Sequence, residues 1–203
     1  MSFELLTALC LYAFVSSITP GPNNLMLMAS GANFGYQRTI PHMLGVGIGF
    51  MIMIVLIGMG LKQLFDAYPL SHQILKVVSI TYLLYLAYKI AVSTVPKIKE
   101  NPEDGDANPL TFFQAALFQW VNPKAWTMAL TAISVYSPSA NIESILLVAL
   151  IFGGINLPSV SVWTALGQEL SRFLTNELRL KVFNVSMAFL LILSMYPVMS
   201  ASF

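Results

Sequence analysis

The sequence predicts an all-α integral membrane protein with six transmembrane helices, arranged as an inverted 3+3 repeat with proline-broken first and fourth helices. Three observations carry this prediction: an apolar composition, six apolar segments around a polar midpoint, and two proline breaks. Of the 203 residues, 57% are hydrophobic and only 9% are charged, whereas soluble domains are roughly 25% charged. The mean hydropathy is +0.74. A partner such as a lipid bilayer is therefore expected, and the net charge of +1 argues against a nucleic-acid partner.

Polar gaps divide the chain into six apolar segments, each long enough to cross a bilayer as a helix. We predict them at 4–31, 41–61, 72–94, 110–135, 143–167 and 182–201. A polar linker, 96–109, separates them three and three, which gives one membrane domain, 1–203, with halves at 1–95 and 110–203. Three crossings in each half would leave the second half inverted relative to the first. Six helices split by a loop, without a repeat, are the alternative.

The basic residues predict the orientation, because loops on the cytoplasmic side of a membrane are enriched in Lys and Arg. If both termini lie outside, only Lys62 and Lys76 fall on the outer side. The inner loops then hold Arg38, Lys89, Lys97, Lys99, Arg172, Arg179 and Lys181. Both termini are therefore predicted to lie outside the cytoplasm.

The first break, 19–24, reads Thr-Pro-Gly-Pro-Asn-Asn in the middle of an apolar segment. Proline lacks an N–H group and clashes with the carbonyl one turn back. Pro20 should therefore free the carbonyl of Ser16, and Pro22 that of Ile18. A half-helix that begins at Pro22 would direct unpaired N–H groups and its positive dipole end to mid-membrane, where a carboxylate could bind.

The other residues of this break add flexibility and polarity without charge. Gly21 lets the chain bend, and Asn23 and Asn24 supply amide donors and acceptors. The freed carbonyls could accept hydrogen bonds from an ammonium group. A zwitterion could therefore be held at both ends, although a proline kink used only for packing is the alternative.

The second break, 122–126, supplies a positive charge. Lys124 is placed well inside a span, where a charge costs at least ~2.5–3.5 kcal/mol on insertion scales and indicates function. It could pair with a carboxylate or titrate as a proton site, and snorkelling toward the interface is the alternative. Pro123 should free the carbonyl of Gln119, and Asn122 is a further candidate for polar contact.

Three further groups of polar or small residues have structural alternatives. Asn156 and Pro158 are predicted to interrupt the fifth span, and Asn156 to complete the cavity or to make a helix–helix contact. The spacing of Gly45, Gly47 and Gly49 favours close helix packing. A further pair, His42 and His72, sits near span ends, where a position in the interfacial belt is expected.

The sequence contains no recognisable enzyme motif, and we predict no catalytic residue, metal or cofactor. The two histidines are too far apart and too peripheral for a metal site. No Asp or Glu lies clearly inside a span, so no carboxylate proton relay is visible. A lone Cys10 excludes an internal disulfide.

With these motifs the chain resembles the LysE/RhtB family of bacterial amino-acid exporters over nearly its whole length. The likeness runs through 19–24, 122–126, 156–167 and 183–197, and the TPGPNN string looks most like the cysteine/O-acetylserine exporter branch. The resemblance implies a multi-pass protein of the bacterial inner membrane that exports small amino acids or derivatives by proton exchange. Many relatives carry Asp at the position of Asn23, so coupling here would need Lys124, a water chain or another group.

The leading hypothesis is a secondary exporter that binds its substrate at mid-membrane, between the first and fourth spans. The predicted contacts are Asn23, Asn24, Asn122, Lys124 and Asn156. A membrane assembly protein that transports nothing is the main alternative. An intramembrane enzyme is less favoured, because it would need a nucleophile beside a base. The sequence is compatible with a homodimer but determines neither the oligomer nor the coupling ion.

Overall fold

The computed structural model describes residues 1–61, 63, 67–68, 70–93, 108–137, 141–194 and 196, without the side chains of 71 and 72. Most of the predicted linker 96–109, together with Lys62, the side chain of His72 and residues 197–201, lies outside the described residues. In the described part the chain is helical throughout and has no strand.

Eight α-helices follow one another in the described ranges, and a π-helical turn extends the third. They are α1 (Phe3–Ile18), α2 (Pro22–Phe34), α3 (Tyr36–Leu56) with the turn Ile57–Leu61, α4 (Leu70–Ala91), α5 (Phe112–Val121), α6 (Pro123–Tyr136), α7 (Ile142–Ser171) and α8 (Glu177–Leu193). Side chains fix several starts, since Ser2, Asn141 and Asn176 each accept from a backbone N–H of the first turn.

Several helices have the length and hydropathy of membrane spans. Tyr36–Leu61, Gln73–Ala91 and Ile142–Ser171 could each cross a bilayer, and α1 with α2 forms a fourth such segment bent by 53°. Large apolar side chains are exposed along the outer faces, for example Phe113 at 75% and Leu117 at 67%. An apolar surface of this extent is expected to face lipid.

Both predicted proline breaks are present. Thr19 and Gly21 are extended between α1 and α2, with Gly21 at φ −177° and ψ 177° and Pro22 in the first turn of α2. Asn122 alone separates α5 from α6, with φ −90° and ψ 108°. The apolar segments at 4–31 and 110–135 are therefore each built from two helices.

The fifth segment is not interrupted, and that prediction was wrong. Helix α7 continues through Pro158. A single proline removes one hydrogen bond and presses on the carbonyl one turn back, at Gly154, which bends a membrane helix without ending it. A β-carbon at Gly154 would meet nothing within 4 Å, so this turn has room to adjust.

The expected belt position of His42 was also wrong. His42 is 1% exposed. Because α3 begins at Tyr36, before the predicted start at 41, His42 lies in its second turn and faces the interior of the bundle.

Helix α7 is the central element and packs against α1, α2 and α3. Glycine brings its backbone against α2: a β-carbon at Gly31 would collide with the carbonyl of Thr164, and one at Gly167 with that of Met28. An apolar cluster of Leu9, Phe50, Met53, Ala129 and Phe152 joins α1, α3, α6 and α7 beside them.

The predicted packing role of the α3 glycines is confirmed at two positions. A β-carbon at Gly49 would lie 2.6 Å from the Cα of Ala116, and one at Gly45 would collide with the carbonyl of Phe112, so both glycines contact α5. Gly47 instead faces α7, where its β-carbon would lie 3.8 Å from Leu157 and 4.0 Å from Asn156.

Candidate functional site

The carbonyls expected to be free at the two breaks already have partners, so that part of the prediction was wrong. The Ser16 carbonyl accepts from Thr19 Oγ1 at 3.1 Å, and the Ile18 carbonyl accepts from Trp163 Nε1 at 2.9 Å. At the second break the Gln119 carbonyl accepts from the backbone N–H of Asn122 at 3.3 Å. Buried carbonyls require donors, and neighbouring groups supply them here.

The carbonyls that remain at the first break, those of Thr19 and Pro20, receive the ammonium of Lys124. Its Nζ lies 2.7 Å from the Thr19 carbonyl, 2.9 Å from Thr19 Oγ1 and 3.3 Å from the Pro20 carbonyl. The side chain therefore crosses from the second break to the first. Among the described residues that line this region none is acidic.

Asn24 stabilises the first break through hydrogen bonds to the backbone. It is 3% exposed, and its Nδ2 donates to the carbonyls of Ser17 and Thr19, both at 2.8 Å. Both amide hydrogens thus hold the end of α1 to the start of α2. Asn24 lines the cleft, as predicted, but its donors serve the backbone.

Asn122 likewise bonds to the backbone at the second break. Its side-chain oxygen accepts from the backbone N–H of Lys124 at 3.1 Å, which caps α6. The residue is buried at 2% exposure. This cap fixes the direction in which Lys124 leaves the helix.

Asn23 joins the two breaks through a partner that the sequence did not single out as a side chain. Its Nδ2 donates to Gln119 Oε1 at 2.8 Å, and Gln119 Nε2 lies 3.3 Å from Asn23 Oδ1 and 2.8 Å from the Ala115 carbonyl. Gln119 is fully buried. A glutamine in an apolar run, one turn before a proline break, is the signal that could have identified it.

Asn156 is the polar contribution of α7. Its Nδ2 donates to Ser17 Oγ at 3.1 Å. Its Oδ1 is buried and has no hydrogen-bond partner among the described residues. A buried acceptor without a donor costs free energy, so this oxygen is available to a donor that enters the site.

These residues line one cleft between the two breaks, α3 and α7. The lining is Ser16, Ser17, Gly21, Asn23, Asn24, Phe50, Gln119, Asn122, Lys124, Ala125, Met128, Asn156 and Val160. All five predicted contact residues are therefore brought together, although they come from positions far apart in the chain. The cleft leaves about 20 Å³ in which the centre of a water molecule can move. That is room for about one water, so a larger ligand requires the cleft to widen.

A polar cleft between two broken helices of an apolar bundle is the arrangement of a membrane transporter. The chain belongs to the family of LysE type translocators, whose family model matches residues 14–195. This confirms the family resemblance and makes the protein a multi-pass membrane transporter, not an enzyme.

Curated relatives carry the name cysteine/O-acetylserine efflux protein. Those of Escherichia coli (strain K12) and Shigella sonnei (strain Ss046) are 30% identical over 137 residues, 67% of this chain and 67% of each relative. One from Shigella flexneri is 30% identical over 133 residues, 65% of either chain. The comparison with solved structures gives no significant match.

Proposed function

We propose that the protein exports small amino acids or their derivatives from the cytoplasm across a bacterial inner membrane, in exchange for protons. In this proposal α1–α2 and α5–α6 each form one broken span, so six spans make an inverted repeat with halves at 1–95 and 110–203. Both termini lie outside. The names of the relatives support cysteine and O-acetylserine as the first substrates to test.

The observation that carries the proposal is the hydrogen bonding of Lys124. Its ammonium is held by neutral oxygens of Thr19 and Pro20, and no described residue lining the cleft supplies an acid. Charge-assisted bonds to a carboxylate are stronger than bonds to neutral oxygens. The site is therefore suited to a ligand that brings the missing negative charge.

An amino acid matches both ends of this site. Its carboxylate would take Lys124 Nζ. Its ammonium would take the unpaired Oδ1 of Asn156 and the Thr19 carbonyl that Lys124 leaves. The substrate's ammonium would thus replace that of Lys124 at the Thr19 carbonyl, and Asn156 Oδ1 would gain the donor that it lacks.

The same exchange of partners supports alternating access. Lys124 belongs to the second half and Thr19 to the first, so the bonds between them hold the two breaks together. When a substrate replaces those bonds, the contact between the halves loosens and the cleft can widen. Rocking of one half against the other is the usual mechanism for such a site.

Release from proteoliposomes tests the proposal. Vesicles containing the purified protein are preloaded with labelled O-acetylserine, cysteine or a panel of larger amino acids, with and without an acidic exterior. We expect release of the small amino acids that exceeds protein-free vesicles and rises when the exterior is acidic. No release of any amino acid under either condition would refute export.

A further inference from the structure

His42 is a histidine of α3 whose imidazole is buried inside the bundle. The residue is 1% exposed, and neither ring nitrogen has a hydrogen-bond partner among the described residues. An imidazole buried in a membrane protein is expected to be paired, or to line a water-filled space with a functional role.

The space beside His42 is a second cavity, separate from the cleft at the breaks. It leaves about 70 Å³ for the centres of water molecules, several times the minimum of about 10–15 Å³ that one water needs. Its lining is Met26, Ala29, Ser30, Asn33, Phe34, His42, Leu86, Lys89, Ile90, Ser93 and 108–110. In the proposed orientation this cavity lies at the cytoplasmic end of the bundle.

The other polar groups of this cavity have protein partners, in contrast to His42. Ser30 Oγ lies 2.9 Å from Thr39 Oγ1, and Asn33 Oδ1 accepts from Ser93 Oγ at 3.2 Å. Asn33 Nδ2 also donates to Asn184 Oδ1 at 2.8 Å. His42 is therefore the side chain of this cavity whose hydrogen-bonding groups no described residue satisfies.

Helix α2 connects this cavity with the cleft at the breaks. Asn23 lines the cleft, and Met26, Ser30 and Asn33 line the cavity. Steps of three and four residues place these side chains on one face of a helix. A change at the cleft can therefore reach the surroundings of His42 through a single helix.

We propose that His42 is the residue that carries the exchanged proton, an inference that rests on the proposed export. Histidine is the side chain whose ordinary titration falls between about pH 5 and 8, and the cleft offers no acid among the described residues. The neutral ring accepts a proton at its unprotonated nitrogen in the outward-facing conformation. The imidazolium returns that proton to water of the cytoplasmic cavity in the inward-facing one.

The charged groups around the cavity favour release on that side. Lys89 of α4 lines it, with Nζ 5.8 Å from the ring centre of Tyr85. Arg38, one turn before His42 on α3, donates to Asn108 Oδ1 at 2.8 Å. The cavity-lining residues of α2 and of 108–110 are uncharged. Positive charge near an imidazolium favours loss of its proton.

The test separates proton coupling from substrate movement in proteoliposomes. In His42→Gln, the rate at which labelled substrate exchanges for unlabelled substrate should stay within about twofold of wild type. The rate of release driven by an acidic exterior should fall at least tenfold. His72→Gln, the same change at the other histidine, should retain both. Proton-driven release by His42→Gln, or loss of exchange together with it, would overturn the role of His42 as proton carrier.

A second measurement does not depend on the folding of a His42 variant. In ¹⁵N-histidine-labelled His72→Gln protein, the one remaining imidazole should change between neutral and charged forms over the pH range in which transport by the wild-type protein responds to a pH gradient. An imidazole signal that is constant over that range would overturn the inference. Wild-type transport that does not respond to a pH gradient would also overturn the role of His42, but would leave amino-acid export intact. Absence of all transport would instead refute the proposed function.

Discussion

The side chain of Lys124 passes over Gly21 so closely that a β-carbon there would lie 2.6 Å from Lys124 Cδ and 3.2 Å from Nζ. The glycine of the first break therefore makes room for the lysine of the second. Gly21 is extended and not left-handed, so its role here is the space it leaves and not an unusual backbone angle.

Gly21→Ala should weaken substrate binding, because the added methyl group displaces the stem of Lys124. Overpacking of about 1 kcal/mol corresponds to roughly a fivefold rise in KM. The measurement is export kinetics in proteoliposomes. If the effect acts through Lys124, Gly21→Ala should add little in a Lys124→Met background, and a full additive loss would contradict this explanation.

Lys124→Met should leave the protein inserted and lower export of carboxylate-bearing substrates by at least about tenfold, since a hydrogen bond to a charged group contributes about 1.5–3 kcal/mol. Lys181→Met, on the exposed part of α8, is the matched control and should transport normally. Wild-type rates in Lys124→Met would exclude the assigned role.

Asn23→Asp should introduce a pH dependence of binding. Below about pH 4 the protonated acid can still donate to Gln119, as the amide does at 2.8 Å. At higher pH the carboxylate loses that donor and competes with the substrate for Lys124, so KM should rise with pH relative to wild type. Parallel pH profiles of KM for the two proteins would contradict this expectation.

Gly31→Ala should destabilise the contact between α2 and α7, because its methyl group would collide with the Thr164 carbonyl. Overpacking costs about 1–3 kcal/mol, which corresponds to a fall in Tm of the order of 5 °C. Thermal unfolding in detergent measures it. Gly154→Ala, where a β-carbon would meet nothing within 4 Å, should keep or slightly raise Tm, because alanine favours helix.

Local chemistry explains what could be predicted from the sequence. The breaks at 19–24 and 122–126 follow from proline's missing N–H and fixed φ, which act within one turn whatever surrounds them. The single proline of α7 shows the limit, because one missing hydrogen bond bends that helix without ending it at Pro158.

Tertiary partners explain what could not be predicted. The carbonyl of Ile18 was expected to be free, but Trp163 reaches it from α7. The Asn23–Gln119 pair likewise joins residues 96 positions apart. The prediction placed His42 in the interfacial belt because it started the second span at 41. The start of α3 at Tyr36 depends on how the chain turns after α2. No pattern within one segment specifies which buried groups meet across the bundle.

The bonds from Lys124 to Thr19 and Pro20 mean that the protein supplies its own stand-in for a ligand's ammonium. In the proposed export, an incoming amino acid must first displace this ammonium, so part of its binding free energy is offset. When the amino acid dissociates, Lys124 would bind the Thr19 and Pro20 carbonyls again and so oppose rebinding. Weak binding of this kind would suit the proposed export, which requires the substrate to be released on the other side of the membrane.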